Sequence, residues 1–162
     1  MILSFKTKIN DKKTHFPEKI LLSIEQNKLS DEPLNFGIAS KDYSPKIHTI
    51  RKDDKNRWKV GVMIDFFINA RTKDMFRFAP KIQVVSIQEF EIKYFGLTVQ
   101  ILIDEEWFGD AFFDQFKNIE CHNLDLETLA QNDGFASLDE FFEYFNEDFK
   151  GKIIHWTNFK YT

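Results

Sequence analysis

Apolar and polar residues alternate, imperfectly, from Ile2 to Ile9, which predicts a strand, and Asn10-Asp11-Lys12-Lys13 predicts the turn that ends it. Thr14 is placed to cap a helix, with Pro17 in its first turn. Phe16, Ile20, Leu21 and Ile24 recur at helical spacing up to an end near Gln26–Leu29. Turn formers then dominate residues 27–45, a long loop that stands just before Lys46 and is placed to cover a site there. From about residue 46 to 104 the β signals are nearly continuous. Pro45–Arg51 reads as a short strand or the entry to one. A charged turn follows over Arg51–Arg57, then a strand from Val60 to Ala70. Within it Phe66, Phe67 and Ile68 form an apolar run, as in a strand covered on both faces. Val84–Ile92 and Leu97–Ile103 read as hairpin partners about Gly96.

The pattern changes after residue 104. Leu124, Leu126, Leu129 and Ala130 suit a helix capped near Asn123 or Asp125, broken at Asn132-Asp133-Gly134. Ser137-Leu-Asp-Glu is a capping box, and Leu138, Phe141, Phe142 and Phe145 form an apolar stripe behind it. Lys152–Thr157 predicts a last strand. The expected fold is α+β: one domain over residues 1–162, built as a small, mostly antiparallel β-barrel flanked by helices.

Composition narrows the function classes. At 162 residues and 43% hydrophobic, the chain is long enough for one real core, and 19 Phe give that core an aromatic character. A lone cysteine, Cys121, forms no internal disulfide and suits a reducing compartment. No apolar run approaches the roughly 18–20 residues needed to span a membrane, and the N-terminal run is too short for a signal peptide. A cytoplasmic location without membrane partners is expected. Net charge is −4, but residues 41–82 hold eleven Lys/Arg against five Asp/Glu, while residues 104–148 hold one Lys against fourteen Asp/Glu. Phosphate can be drawn to such a basic half despite the negative total. The four histidines are scattered and no Walker A, Gly-x-Gly-x-x-Gly or Gly-x-Ser-x-Gly pattern occurs, so neither metal nor cofactor is expected.

Candidate chemistry concentrates in Lys46-Ile47-His48-Thr49-Ile50-Arg51. In a regular strand Thr49 and Arg51 share one face and Lys46 and His48 the other. A bend at Pro45 would bring Lys46 and Thr49 to one mouth. Arg71–Phe78 interleaves cations with aromatics, a composition that suits phosphate contact and base stacking as well as an ordinary hairpin edge.

Lys-x-x-Thr-Ile-Arg after an N-terminal helix resembles the signature of the ASCH family of PUA-like domains. Ala130–Phe142, with its Asp133-Gly134-Phe135, resembles that family's helical insertion. Trp58-Lys-x-Gly and the closing Ile153-Ile-His-Trp follow in the family's order. The segment before Lys46 is longer than the glycine-containing turn of the family. The resemblance implies a PUA-like barrel that binds RNA or a modified nucleoside in a cleft beside it. Some small members are amidohydrolases that remove acetyl from N4-acetylcytidine with a lysine, a threonine and a glutamate. The matching positions here are Lys46, Thr49 and Asp133, with Arg51 matching an arginine of the motif. Ligand contacts are expected from Arg51, His48, Trp58, Arg71 and His155. The leading expectation is therefore RNA or nucleoside binding. Amide hydrolysis through Lys46, Thr49 and Asp133 is an alternative, and so is a protein-interaction module using the acidic, aromatic face of residues 105–149.

Overall fold

The computed structural model describes residues 1–34, 42–121 and 123–162. Its elements run β1 (Ile2–Phe5), β2 (Lys8–Ile9), β3 (Lys12–Lys13), α1 (Phe16–Gln26), β4 (His48–Arg51), β5 (Met63–Ile68), β6 (Phe76–Arg77), β7 (Ile82–Gln83), β8 (Ser86–Phe95), β9 (Thr98–Ile103), β10 (Glu106–Phe113), β11 (Ile119–Cys121), α2 (Leu124–Asn132), α3 (Leu138–Tyr144) and β12 (Phe149–His155). The class is α+β with mostly antiparallel strands.

Six strands form a curled, antiparallel half-barrel in the order β11-β10-β9-β8-β12-β4. Strict alternation drives its centre: Phe90 and Ile92 of β8 and Val99, Ile101 and Ile103 of β9 are buried, with half-buried or exposed residues between them. Two tight turns hold the register. Gly96, with φ 64°, opens the two-residue turn between Phe95 and Thr98. Asp104 and Glu105, both at positive φ, join β9 to β10, the geometry of a type I′ hairpin. Asp104 is held there because its carboxylate accepts from the Glu89 backbone N–H and from Gln88. The last strand in sequence, β12, lies inside the sheet, with His155 opposite His48 on one side and Ser86 on the other. This leaves β4 as an edge strand.

The strands expected to close one barrel divide between two sheets. In the second, β1 runs parallel to β5, and β6 and β7 pair antiparallel with β5. The predicted strand at Val60–Ala70 shortens to β5, where Ile64 and Phe66 are fully buried and Phe67 and Ile68 only partly. One buried cluster spans both sheets and the three helices, from Leu3 and Ile20 through Phe66 to Leu126, Phe141 and Trp156.

Most helix ends follow their sequences, with one exception: α1 is capped not by Thr14 but by His15, in the left-handed region with no side-chain cap bond, while Thr14 Oγ1 accepts from the Phe16 N–H. Pro17 lies in the first turn, and the helix buries Phe16, Ile20, Leu22 and Ile24, Leu22 taking the place expected of Leu21. It closes with Leu29 N bonded to Ile24 O and Lys28 N to Glu25 O, Lys28 taking a left-handed conformation. Asn123 caps α2, and Ser137 caps α3 while Glu140 reaches back to the Ala136 N–H. Of the long loop expected over 27–45, residues 35–41 lie outside the described residues. Among the described residues no helix is long and apolar enough to cross a membrane.

Candidate active site

Two backbone bonds dock the chain ahead of β4. The Lys46 N–H donates to Lys19 O in α1 and the Ile47 N–H to Asn132 O at the end of α2. Residues 45–47 are not in a strand, so alternation does not bind Lys46. Lys46 and Thr49 line the same small cleft, together with Ile50, Arg51 and Asp133.

The carboxylate arrives through a helix stop. Asp133 is the C-terminal cap of α2, and Gly134 follows at φ 91°. Gly134 N bonds Gln131 O, and Phe135 N bonds Ala130 O. Only glycine fits this turn, because a Cβ there would lie 2.9 Å from Lys46 Cδ and 3.0 Å from the Phe16 ring. The missing side chain lets Lys46 lie flat against the turn. Its Nζ donates to Asp133 Oδ1 at 2.5 Å and also to the Asp133 carbonyl. Ile50, on the free edge of β4, donates its N–H to the same Oδ1 at 3.2 Å. Lys46 is 1% exposed and Asp133 3%. The ammonium also stands 4.9 Å from the centroid of Phe16 and 6.0 Å from that of Phe5.

Arg51 turns inward. Its Nε–H donates to Thr49 Oγ1 at 3.2 Å, its Nη2 donates to Ser4 O at 2.9 Å, and its guanidinium lies 4.9 Å over the Phe5 ring. The cleft itself holds about 20 Å³, room for one water. Exposed Lys6 and Tyr144 stand at its rim, the amine 5.6 Å over the ring. It adjoins a pocket of about 380 Å³ through the shared residues Ile9, Phe16 and Phe135. Lys19, His15, Tyr43 and Glu140 are among that pocket's other walls.

Burial pushes both partners of the ion pair towards neutrality. Loss of water lowers the Lys46 amine to about 8, against the pull of the Asp133 carboxylate, which raises it. Loss of water also raises the Asp133 carboxyl, while Lys46, Arg51 and the Ile50 N–H hold it down.

Behind the pair lies a second buried polar group. His48 Nε2 is 2.8 Å from the Tyr161 hydroxyl, whose oxygen accepts from Asn132 Nδ2 at 3.0 Å. His48 Nδ1 is 3.8 Å from Asp133 Oδ1. The His155 ring crosses that of His48 with centroids 5.2 Å apart. Among the described residues, His48 Nδ1 and both His155 nitrogens have no hydrogen-bond partner. Burial keeps both rings neutral, His48 well below the usual histidine range and His155 at about 4.

The expected ligand contacts therefore separate. Lys46, Thr49, Arg51 and Asp133 line the cleft, with His48 and His155 behind it. Trp58 is buried in the core, and Arg71 is exposed on the turn between β5 and β6; neither lines the cleft. Sequence reasoning missed Tyr161, Asn132, Phe5 and Phe16. Phe16 carried a signal as an apolar position at the start of a helix, and Asn132 as part of the helix stop, but neither pointed to the site. On the acidic face, Trp107, Phe112 and Phe116 are exposed, while Phe141, Phe142 and Phe145 pack inward. Among the described residues no group of three or more His, Cys, Asp or Glu side chains is arranged to hold a metal ion. Comparison with family models, curated proteins and solved structures finds no match.

Proposed function

We propose that the protein binds a modified nucleoside at the β4 edge of the half-barrel and hydrolyses an N-acyl amide on it, in the manner of N4-acetylcytidine amidohydrolases. We assign the fold, on the same grounds, to the PUA-like ASCH domains that the Lys46-x-x-Thr49-Ile50-Arg51 motif resembles. The observation that carries the reading is the buried Lys46–Asp133 pair in a cleft that Thr49 also lines. A buried ion pair adds little net stability, because desolvation offsets its attraction. Perturbed charges that meet a hydroxyl in a cleft are what acyl-transfer chemistry requires.

The steps follow from the donors. Arg51 Nε–H occupies a lone pair of Thr49 Oγ1, which leaves the hydroxyl proton free to move. A lysine titrating near 8 is neutral in about a tenth of molecules at pH 7. That neutral amine takes the hydroxyl proton as Oγ1 bonds to the acyl carbon, and Arg51 offsets the negative charge that develops. The C–N bond then breaks, and the amine leaves with the proton from Lys46. Water attacks the threonine ester, releasing the carboxylic acid and restoring the hydroxyl. One amide and one water become one acid and one amine. The body of the nucleoside occupies the adjoining pocket, since the cleft itself has room for about one water.

The inward Lys46 and Arg51 favour a small ligand over a polymer at this site. Phosphate contact by RNA would fall to exposed cations outside the cleft, such as Lys52, Arg57, Arg71 and Lys73. The test is release of cytidine and acetate from N4-acetylcytidine, measured by chromatography. The wild type turns over and Thr49→Ala does not. Wild-type inactivity on N4-acylated cytidines, or activity retained in Thr49→Ala, overturns the reading. Salt-dependent RNA binding without turnover, weakened in Arg71→Glu, would select the RNA module instead. A second reading rests on exposed Trp107 and Phe116, at 60% and 74%, which suit a protein partner. Its sign would be association that Phe116→Ser abolishes.

A further inference from the structure

The cleft chemistry uses Lys46, Thr49, Arg51 and Asp133 and leaves the buried chain Asn132–Tyr161–His48 without a role. We propose that Tyr161 and His48 are positioning residues: the Tyr161 hydroxyl locks His48 as its Nδ1–H tautomer and thereby aims an N–H at Asp133 Oδ1. This rests on the amidohydrolase reading for its kinetic consequence, though not for its geometry.

The tautomer follows from counting donors. The Asn132 Nδ2 group is a donor only, so the Tyr161 oxygen accepts from it at 3.0 Å. The hydroxyl proton then needs an acceptor, and among the described residues His48 Nε2 at 2.8 Å is the one beside it; the Nε2–H tautomer would leave that proton unpaired. A buried imidazole that stays neutral carries its one proton on the other nitrogen, Nδ1. Nδ1 faces Asp133 Oδ1 at 3.8 Å, the oxygen that already receives Lys46 and the Ile50 N–H. When Lys46 is neutral, the oxygen keeps the Ile50 bond and the imidazole dipole. The carboxylate then stays ionised through the step in which its ammonium partner is absent. The groups that face His48 are Asp133, Lys46, Tyr161 and the neutral His155.

Tyr161 is held for this task although it lies beyond the last strand. Gln88, itself buried, accepts from the Tyr161 N–H at 2.9 Å and donates to the Tyr161 carbonyl at 3.0 Å. Asp104, the β9–β10 turn residue, fixes Gln88 in turn at 2.9 Å. Phe108 and Phe159 pack edge-on to the ring. A segment outside the sheet, tied down by a side chain from the sheet's middle, places its hydroxyl accurately.

The experiment needs no substrate. Long-range ¹H–¹⁵N spectra of the full chain report the protonated nitrogen of His48, and ¹³C spectra follow Asp133 with pH. The wild type shows the Nδ1–H form. Tyr161→Phe loses the single tautomer, and Asp133 titrates at higher pH because the imidazole dipole that faces its ionised form is no longer fixed. A wild-type Nε2–H form or an imidazolium, or an Asp133 titration unmoved in Tyr161→Phe, overturns the proposal. On N4-acetylcytidine, Tyr161→Phe lowers kcat about tenfold, the scale of one lost orienting hydrogen bond, with KM unchanged and the acid limb of the pH profile moved upward. An unchanged kcat in a folded variant also counts against it. Wild-type inactivity on that substrate defeats the amidohydrolase reading alone, because the spectra still decide the tautomer.

Discussion

Replacing Asp133 with Asn tests the buried pair most directly. The amide keeps an oxygen of similar size for the Ile50 N–H and the Lys46 amine but removes the charge. Lys46, 1% exposed, cannot reach water in place of its partner. A charged lysine left alone there would cost about 3–5 kcal/mol, the range found when one member of a buried pair is removed. It escapes part of that cost by giving up its proton, as buried lysines with pKa values of about 5–6 do. In the wild type Asp133 holds the amine at about 8. A fall of about two units converts to about 3 kcal/mol of lost stability at pH 6, where the wild-type amine is charged. The sign follows from linkage. Asp133 raises the folded-state pKa of Lys46 relative to the variant, so its contribution is full where Lys46 is charged and Asp133 ionised, and it disappears as pH rises through about 8 and again where Asp133 takes up its proton in acid. Above pH 9 the difference shrinks to about 1 kcal/mol, one neutral hydrogen bond. Urea denaturation of both proteins at pH 6 and at pH 9.5 measures it. A loss of the same size at both pH values, or one well under 1 kcal/mol at pH 6, would refute the reasoning.

Other outcomes follow from the same geometry. Gly134→Ala combines a left-handed φ of 91° with a Cβ 2.9 Å from Lys46 Cδ, so it costs about 3 kcal/mol in thermal unfolding and displaces the amine. Gly96→Ala, at φ 64° with nothing within 4 Å, costs only about 1 kcal/mol and serves as its control. Arg51→Lys supplies a charge but not the fork that reaches Thr49 and Ser4 together; kcat on the acylated nucleoside falls by about 100-fold with the fold intact by circular dichroism. Phe116→Ser, at a side chain 74% exposed, leaves the melting temperature unchanged, and sedimentation then shows whether self-association depends on that ring.

Much of the local structure is legible in residue order because its causes are local. The capping box at Ser137–Glu140, the stop at Gly134, the turn at Gly96 and the alternation along β9 each depend on neighbours a few residues away. The Lys46-x-x-Thr49-Ile50-Arg51 stretch likewise draws attention without any fold, since it packs an amine, an imidazole, a hydroxyl and a guanidinium into six positions. Its alternation alone would set Lys46 and Thr49 on opposite faces. They line one cleft because Lys46, two residues before β4, is pinned to the α1 carbonyl at Lys19, outside the strand that alternation governs.

Contacts between distant segments were not legible from periodicity; the family resemblance alone set Asp133 beside Lys46 and Thr49. Nothing in the pattern of β1 says that it pairs parallel to β5, or that β12 enters between β8 and β4 and makes β4 an edge with a free N–H for Asp133. Trp58 reads as a binding aromatic and is core; Tyr161 carries no signal in the sequence and is anchored beside His48. Periodicity reports which side of an element is apolar, because side-chain direction repeats within the element. Which element covers that side is decided by the summed burial and hydrogen bonding of the whole chain. That choice alone removed Lys46 and Asp133 from water and placed them together.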